Sequence, residues 1–143
     1  MKIKTIIDDK KVTINLTKEQ LSDIKKQTSN IVTIDNINNY VDACKILGRK
    51  VTKCSPTEEL FTIIAAANFI DNSYKVWIPD FSNNDYKYLP MLIKQSGGWA
   101  FGSSPYFYVL SCCSAGYYYK NEETSEIITK RFIKLYSKVF DSM

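Results

Sequence analysis

The chain has 143 residues, of which 45% are apolar and 24% charged, with four cysteines, no histidine and a formal net charge of +4. That length suits one soluble globular domain burying roughly two-thirds of its unfolded-chain surface, and no run reaches the ~18 apolar residues of a membrane span. Lysines break up the apolar residues of Met1-Lys2-Ile3-Lys4-Thr5, which argues against a signal peptide and for a cytoplasmic protein. Without histidine, the common hydrolase triads, zinc proteases and proton shuttles are excluded.

In chain order, Ile3, Thr5, Ile7 and Val12, Ile14, Leu16 alternate around Asp8-Asp9-Lys10-Lys11, which predicts a β-hairpin. Thr17-Lys18-Glu19-Gln20 has capping-box form and predicts a short helix to about Lys26. Ile31-Val32-Thr33-Ile34 reads as a short strand or extended connector. Tyr40, Ala43, Cys44 and Leu47 recur at helical spacing up to Gly48. Ser55-Pro56-Thr57-Glu58 then opens an apolar helix to Ile70, with Leu60, Ile63, Ile64 and Ala67 as its core stripe. These two helices could resemble a helix-turn-helix, but Leu60 to Asn68 offers almost no polar side chain to a base edge.

Beyond Asp71 the chain turns β-rich, and every aromatic residue except Tyr40 lies from Phe61 onward. Strands are predicted at Tyr74 to Ile78, Tyr86 to Leu92, Trp99 to Phe101, Tyr106 to Cys113 and Gly116 to Tyr119. Their short connections suit antiparallel hairpins, and Pro90 marks an edge strand or a bulge. A single amphipathic helix follows, capped by Asn121, with Ile128, Phe132, Leu135 and Val139 buried and Lys130, Lys134 and Lys138 along another face. The fold class is therefore α+β: an N-terminal hairpin and short helices, then an aromatic-rich antiparallel meander packed on a C-terminal helix. One domain spans 1–143, in segments 1–34 (hairpin, helix, connector), 35–72 (helical pair) and 73–143 (meander and terminal helix).

Only Arg49 and Arg131 among the 19 basic residues are arginine, which disfavours sequence-specific DNA reading. Cys44, Cys54, Cys112 and Cys113 lack zinc-ribbon spacing, so neither metal nor cofactor is expected. In strands such as Tyr106-Phe107-Tyr108 and Tyr117-Tyr118-Tyr119 some rings must face outward. They either stabilise the sheet or form a recognition surface. Candidate ligand-binding residues are Trp77, Tyr86, Lys87, Tyr88, Lys94, Trp99, Phe101, Tyr106, Tyr108 and Tyr118, with bases stacking on Trp77, Trp99 or Tyr88 and phosphate on Lys87 or Lys94. Asp80 and Asp85 near Asn83-Asn84 could hold a cation or form a carboxylate pair, but an Asp after Pro in a turn more often caps backbone amides. Enzyme activity is not expected; Asp80 and Cys113 are where it would lie.

The motifs Trp77-Ile78-Pro79-Asp80-Phe81 and Tyr86-Lys87-Tyr88-Leu89-Pro90, the segment Gly98-Trp99-Ala100-Phe101 and the helix Asp42-Ala43-Cys44-Lys45-Ile46-Leu47-Gly48 resemble an uncharacterised small protein family of phages and prophages of gut Bacteroidetes. Ser114-Ala115-Gly116 and the run from Tyr119 to Tyr136 extend the resemblance over about residues 40 to 140. Where that family often has Ser-Arg-Leu after the glycine, this chain has Tyr117-Tyr118-Tyr119, so no role of that arginine carries over. The resemblance implies a phage or mobile-element protein acting in the host cytoplasm. The expected function is non-catalytic binding by an aromatic sheet face, in counter-defence, of a nucleotide-like signal or a host protein, with a homo-oligomer plausible. The alternatives are a virion or assembly component and a non-specific single-strand nucleic-acid binder.

Overall fold

The computed structural model describes residues 2–7, 10–15, 17–20, 22, 31–107 and 115–142, giving only the backbone for 2–7, 10–15, 107 and 115. The chain divides into two units, Met1–Ile31 and Val32–Met143. In the first, β1 (Lys2–Ile7) and β2 (Lys10–Asn15) pair antiparallel from Lys2↔Asn15 to Ile7↔Lys10, as the alternation predicts. Thr17 N–H donates to Gln20 Oε1 at 3.0 Å and Gln20 N–H to Thr17 Oγ1 at 3.1 Å, completing the expected capping box. Most of the helix predicted to Lys26 lies outside the described residues.

The second unit is an α+β assembly built around one helix. Where a strand or extended connector is expected near Ile34, the chain makes a 3₁₀ turn, Ile34–Asn36, closed by Asn36 Oδ1 accepting from Thr33 N–H at 2.7 Å. Helix α1 (Tyr40–Ile46) is capped by Asn39, whose side chain accepts from Asp42 N–H at 2.9 Å. Helix α2 (Pro56–Asp71) begins with the predicted cap: Ser55 Oγ accepts from Glu58 N–H, and Glu58 accepts from Ser55 N–H at 2.8 Å. Its predicted stripe is buried, and so are Thr62, Ala66 and Asn68. The helix is thus covered on more faces than an amphipathic pattern implies, and it packs against α1 and both C-terminal helices.

The meander takes the form of a bent ribbon. Strand β3 (Lys87–Tyr88) pairs with β6 (Tyr106–Phe107), and β4 (Met91–Gln95) pairs with β5 (Gly98–Ser103), all antiparallel. The β4–β5 hairpin is therefore nested inside the β3–β6 pair, and the predicted Tyr86–Leu92 strand is split. The interruption falls at Leu89-Pro90 opposite Ser104-Pro105, where neither proline can donate to the ladder. One bond, Leu89 N–H to Pro105 O at 3.1 Å, bridges the gap. The bulge expected near Pro90 appears as a register shift between Met91 and Leu92. Gly98 has φ +121°, a value that favours glycine where the hairpin turns. Tyr108 to Ser114, including Cys112 and Cys113, lie outside the described residues.

Two predicted strands are corrected. Tyr74 to Ile78 pairs with no strand among the described residues: Asn72 Nδ2 donates to Lys75 O and Val76 O, both at 3.2 Å, occupying acceptors that a ladder would use. Gly116 to Tyr119 is a 3₁₀ turn, Ala115–Tyr117, followed by a single bridge, Tyr119↔Tyr88. The turn explains how three consecutive tyrosines are all buried, Tyr117 at 9%, Tyr118 at 1% and Tyr119 at 0% exposure, whereas a strand would send alternate rings outward. A Cβ added at Gly116 would lie 2.7 Å from the Phe61 ring, so any other residue there would force that ring to shift.

The terminal helix is also two helices, α3 (Glu122–Arg131) and α4 (Ile133–Phe140), separated by Phe132 at φ −106°, ψ 23°. Its buried stripe (Ile128, Leu135, Val139) runs across the break, so periodicity alone reads one helix. Beside the break, Arg131 donates to Ile34 O, Ile37 O and Asp35 Oδ1 at 2.8–2.9 Å, tying α3 to the 3₁₀ turn. In the core, Tyr119 and Tyr136 share a hydroxyl–hydroxyl bond of 2.9 Å. Burial pushes both phenols up, Tyr136 to about 12. Cys44 is buried and Cys54 half-buried, both as free thiols. Among the described residues no helix is long and apolar enough to cross a membrane.

Candidate functional site

The site begins where α2 ends. Asn72 caps the helix, and Ser73 (φ 54°) and Tyr74 (φ 60°) follow in the left-handed region, which costs a non-glycine residue about 1–2 kcal/mol. The turn is held by Tyr74 N–H to Phe69 O at 2.8 Å, Tyr74 OH to Val32 O at 2.7 Å and an edge-on Phe69–Tyr74 contact. It sends Val76, Trp77 and Ile78 out of the helix layer. Val76 and Ile78 are 76% and 77% exposed, and Trp77 between them is half-buried.

The loop from Asp80 to Asp85 is tied down from both ends. Asp80 accepts from Ser82 N–H at 2.9 Å and Ser82 Oγ at 2.6 Å, bonds that hold its carboxyl below the usual range. From the other side Lys87, only 1% exposed, donates to Asn83 Oδ1 at 2.9 Å and to Asp85 O at 2.7 Å, with its ammonium 5.6 Å from the Phe81 ring centroid. A buried ammonium needs such partners. Phe81 meets the buried Tyr118 ring at 5.2 Å, anchoring the loop to the core.

Between this loop, the α2 terminus and β3 lies a groove of about 640 Å³. Trp77, Ile78, Tyr86 and Tyr88 line it together with Asn72, Asp80, Asn83, Asp85, Lys87 and Lys120. Lys120 is brought there by Asn68, which is 5% exposed: its Nδ2 donates to Tyr118 O and its Oδ1 accepts from Lys120 N–H, each at 2.9 Å. Lys120 Nζ donates to Asn72 Oδ1. An adjoining depression of about 400 Å³ shares Tyr88 and Lys120 and adds Asn121, Glu122, Glu123 and Glu126. Burial raises the Tyr88 phenol, and the negative Glu122 raises it further.

The structure brings together four of the residues singled out from sequence, Trp77, Tyr86, Lys87 and Tyr88. Tyr106, 54% exposed, sits against them, its ring 4.8 Å from Tyr86. Lys94, Trp99 and Phe101 lie on the β4–β5 hairpin and pack against the C-terminal helices instead. Asp141 Oδ1 accepts from Lys94 Nζ at 3.1 Å and from Trp99 Nε1 at 3.0 Å, Lys94 lies 5.1 Å over the Trp99 ring, and Lys130 lies 5.3 Å over Phe101. Tyr118 is in the core, and Tyr108 lies outside the described residues. Both ammonium groups expected to meet phosphate make contacts within the chain, Lys87 with the Asn83–Asp85 segment and Lys94 with Asp141. Asp85 stands out in the sequence beside Asp80, whereas Asn72 and Lys120 do not; the helix end at Asn72 is a usable signal, and the long-range approach of Lys120 has none. Comparison with protein-family models, curated proteins and solved structures returned no match.

Proposed function

We propose that the protein is a non-catalytic binding module that captures a small, flat-ringed, nucleotide-like ligand in the groove at the base of the ribbon. The observation that carries this reading is the convergence of the Trp77, Tyr86 and Tyr88 side chains on one groove beside Lys120 and Asp85. Its volume falls within the roughly 300–1,000 Å³ of small-molecule sites. Trp77 makes no hydrogen bond or ring contact with the described residues, so its indole is available for stacking. Asp80 spends its carboxylate on Ser82 and Asn83, which favours a structural role for it. A counter-defence setting in a phage-infected host rests on the motif resemblance alone.

The test is calorimetric titration of the protein with nucleosides, mononucleotides and cyclic dinucleotides, repeated on Trp77→Ala. Saturable binding that Trp77→Ala abolishes supports the reading, and absence of binding across the panel contradicts it. A second reading, contact with a host or phage protein, is favoured by the exposed Val76 and Ile78 that flank Trp77. In that case Val76→Asp and Ile78→Asp would abolish association with the partner while leaving small-ligand titrations unchanged.

A further inference from the structure

Resting on the binding reading above, we infer that the groove takes a nucleoside-type ligand, a flat ring carried on an uncharged hydroxylated sugar, and discriminates against its phosphorylated forms. The polar groups that remain for a ligand decide its chemistry. Phosphate recognition needs several converging donors, and arginine is the residue best shaped to supply them; no arginine lines the groove. Of the two cations that line it among the described residues, Lys87 has its ammonium turned onto Asn83 and Asp85 oxygens. Lys120 remains, already donating to Asn72 Oδ1.

Around Lys120 the charge is of the wrong sign for phosphate. Asp80 and Asp85 stand on the groove side, and Glu122, Glu123 and Glu126, the last of them paired with Lys130, line the depression that shares Lys120 and Tyr88. At the N-terminus of α3, which could have offered free backbone donors, two are already taken: Asn121 Oδ1 accepts from Glu123 N–H at 2.9 Å and Thr124 N–H at 3.3 Å. A phosphoryl group beside Lys120 would therefore meet one lysine against a wall of carboxylates.

The same groups suit hydroxyls. The Asp85 carboxylate, which bonds to no described residue, can accept two hydroxyl protons, while Trp77 Nε1–H and the remaining Lys120 protons can donate to sugar oxygens. Asn72 and Asn83 are largely saturated within the chain, Asn72 by Lys75, Val76 and Lys120 and Asn83 by Asp80, Asp85 and Lys87. Discrimination therefore falls mainly to Asp85 and the glutamates.

The experiment is calorimetry on the full chain, without divalent cations and at low salt. Adenosine, guanosine, cytidine and uridine are each compared with their 5′-monophosphate and 5′-triphosphate, and ring-free methyl riboside separates a ring requirement from simple sugar binding. The expected result is that one nucleoside binds, its monophosphate about tenfold more weakly and its triphosphate more weakly again, with Asp85→Asn weakening the nucleoside about tenfold and narrowing the gap to the monophosphate. Equal or tighter binding of the phosphorylated forms, an Asp85→Asn protein that behaves as wild type, or methyl riboside binding as well as a nucleoside each overturns the inference while leaving a ligand groove in place. No binding by any compound overturns both the inference and the reading beneath it.

Discussion

The two ends of the ribbon carry similar side chains and do different work. At its β4–β5 end, Lys94 and Trp99 meet Asp141 just past the last helix and Phe101 meets Lys130 of α3, a set of contacts that forms a clasp. At its β3–β6 end, Tyr86 and Tyr88 stand with Trp77 around a groove. An aromatic residue next to a lysine becomes a candidate site only where the chain leaves space in front of it, and that space is made by the left-handed exit from α2 and the tethered Asp80 to Asp85 loop.

The largest expected effect comes from breaking the base of the ribbon. Asn68→Ala removes both buried bonds to the Tyr118–Lys120 segment, which should cost about 2–3 kcal/mol in urea unfolding and take ligand binding with it. Lys87→Met keeps the packing over Phe81 but releases the loop. It should cost about 1–2 kcal/mol and speed amide exchange selectively across residues 80–86.

The clasp should respond differently. Trp99 N–H and Lys94 hold the Asp141 carboxyl below its ordinary value. A depressed carboxylate adds stability that is present above its unfolded pKa and is lost as pH falls through the folded one. Melting temperature should therefore drop between about pH 5 and pH 2, and Asp141→Asn should flatten part of that drop while leaving ligand affinity unchanged. Sharpest in meaning is Trp77→Ala, expected within about 1 kcal/mol of wild type because the half-buried indole makes no hydrogen bond or ring contact with the described residues, yet at least tenfold weaker in binding.

Local signals in the sequence were readable where the physics is local. Thr17, Ser55 and Asn121 cap helices because a cap needs only three or four neighbouring residues. Pro90 interrupts a strand because a proline cannot donate wherever it sits. Tyr74 was not readable as left-handed, since its conformation is fixed by Phe69 and by Val32, 42 residues away. Nor was the burial of Tyr117 to Tyr119, because period-two reasoning assumes a strand where the chain makes a 3₁₀ turn against α2. Of the candidate site, the aromatic half could be seen in the sequence. The polar half depends on Lys120 meeting Asn72 across 48 residues, a contact no local pattern encodes.

The most direct test of the account uses the two tryptophans, one at each end of the ribbon. Their indole N–H resonances are followed in a ¹⁵N-labelled protein during titration with the nucleoside that binds. A saturable shift of the Trp77 indole with the Trp99 indole stationary is the predicted result. Movement of Trp99 while Trp77 stays still would contradict the account, because it would place the ligand at the clasp.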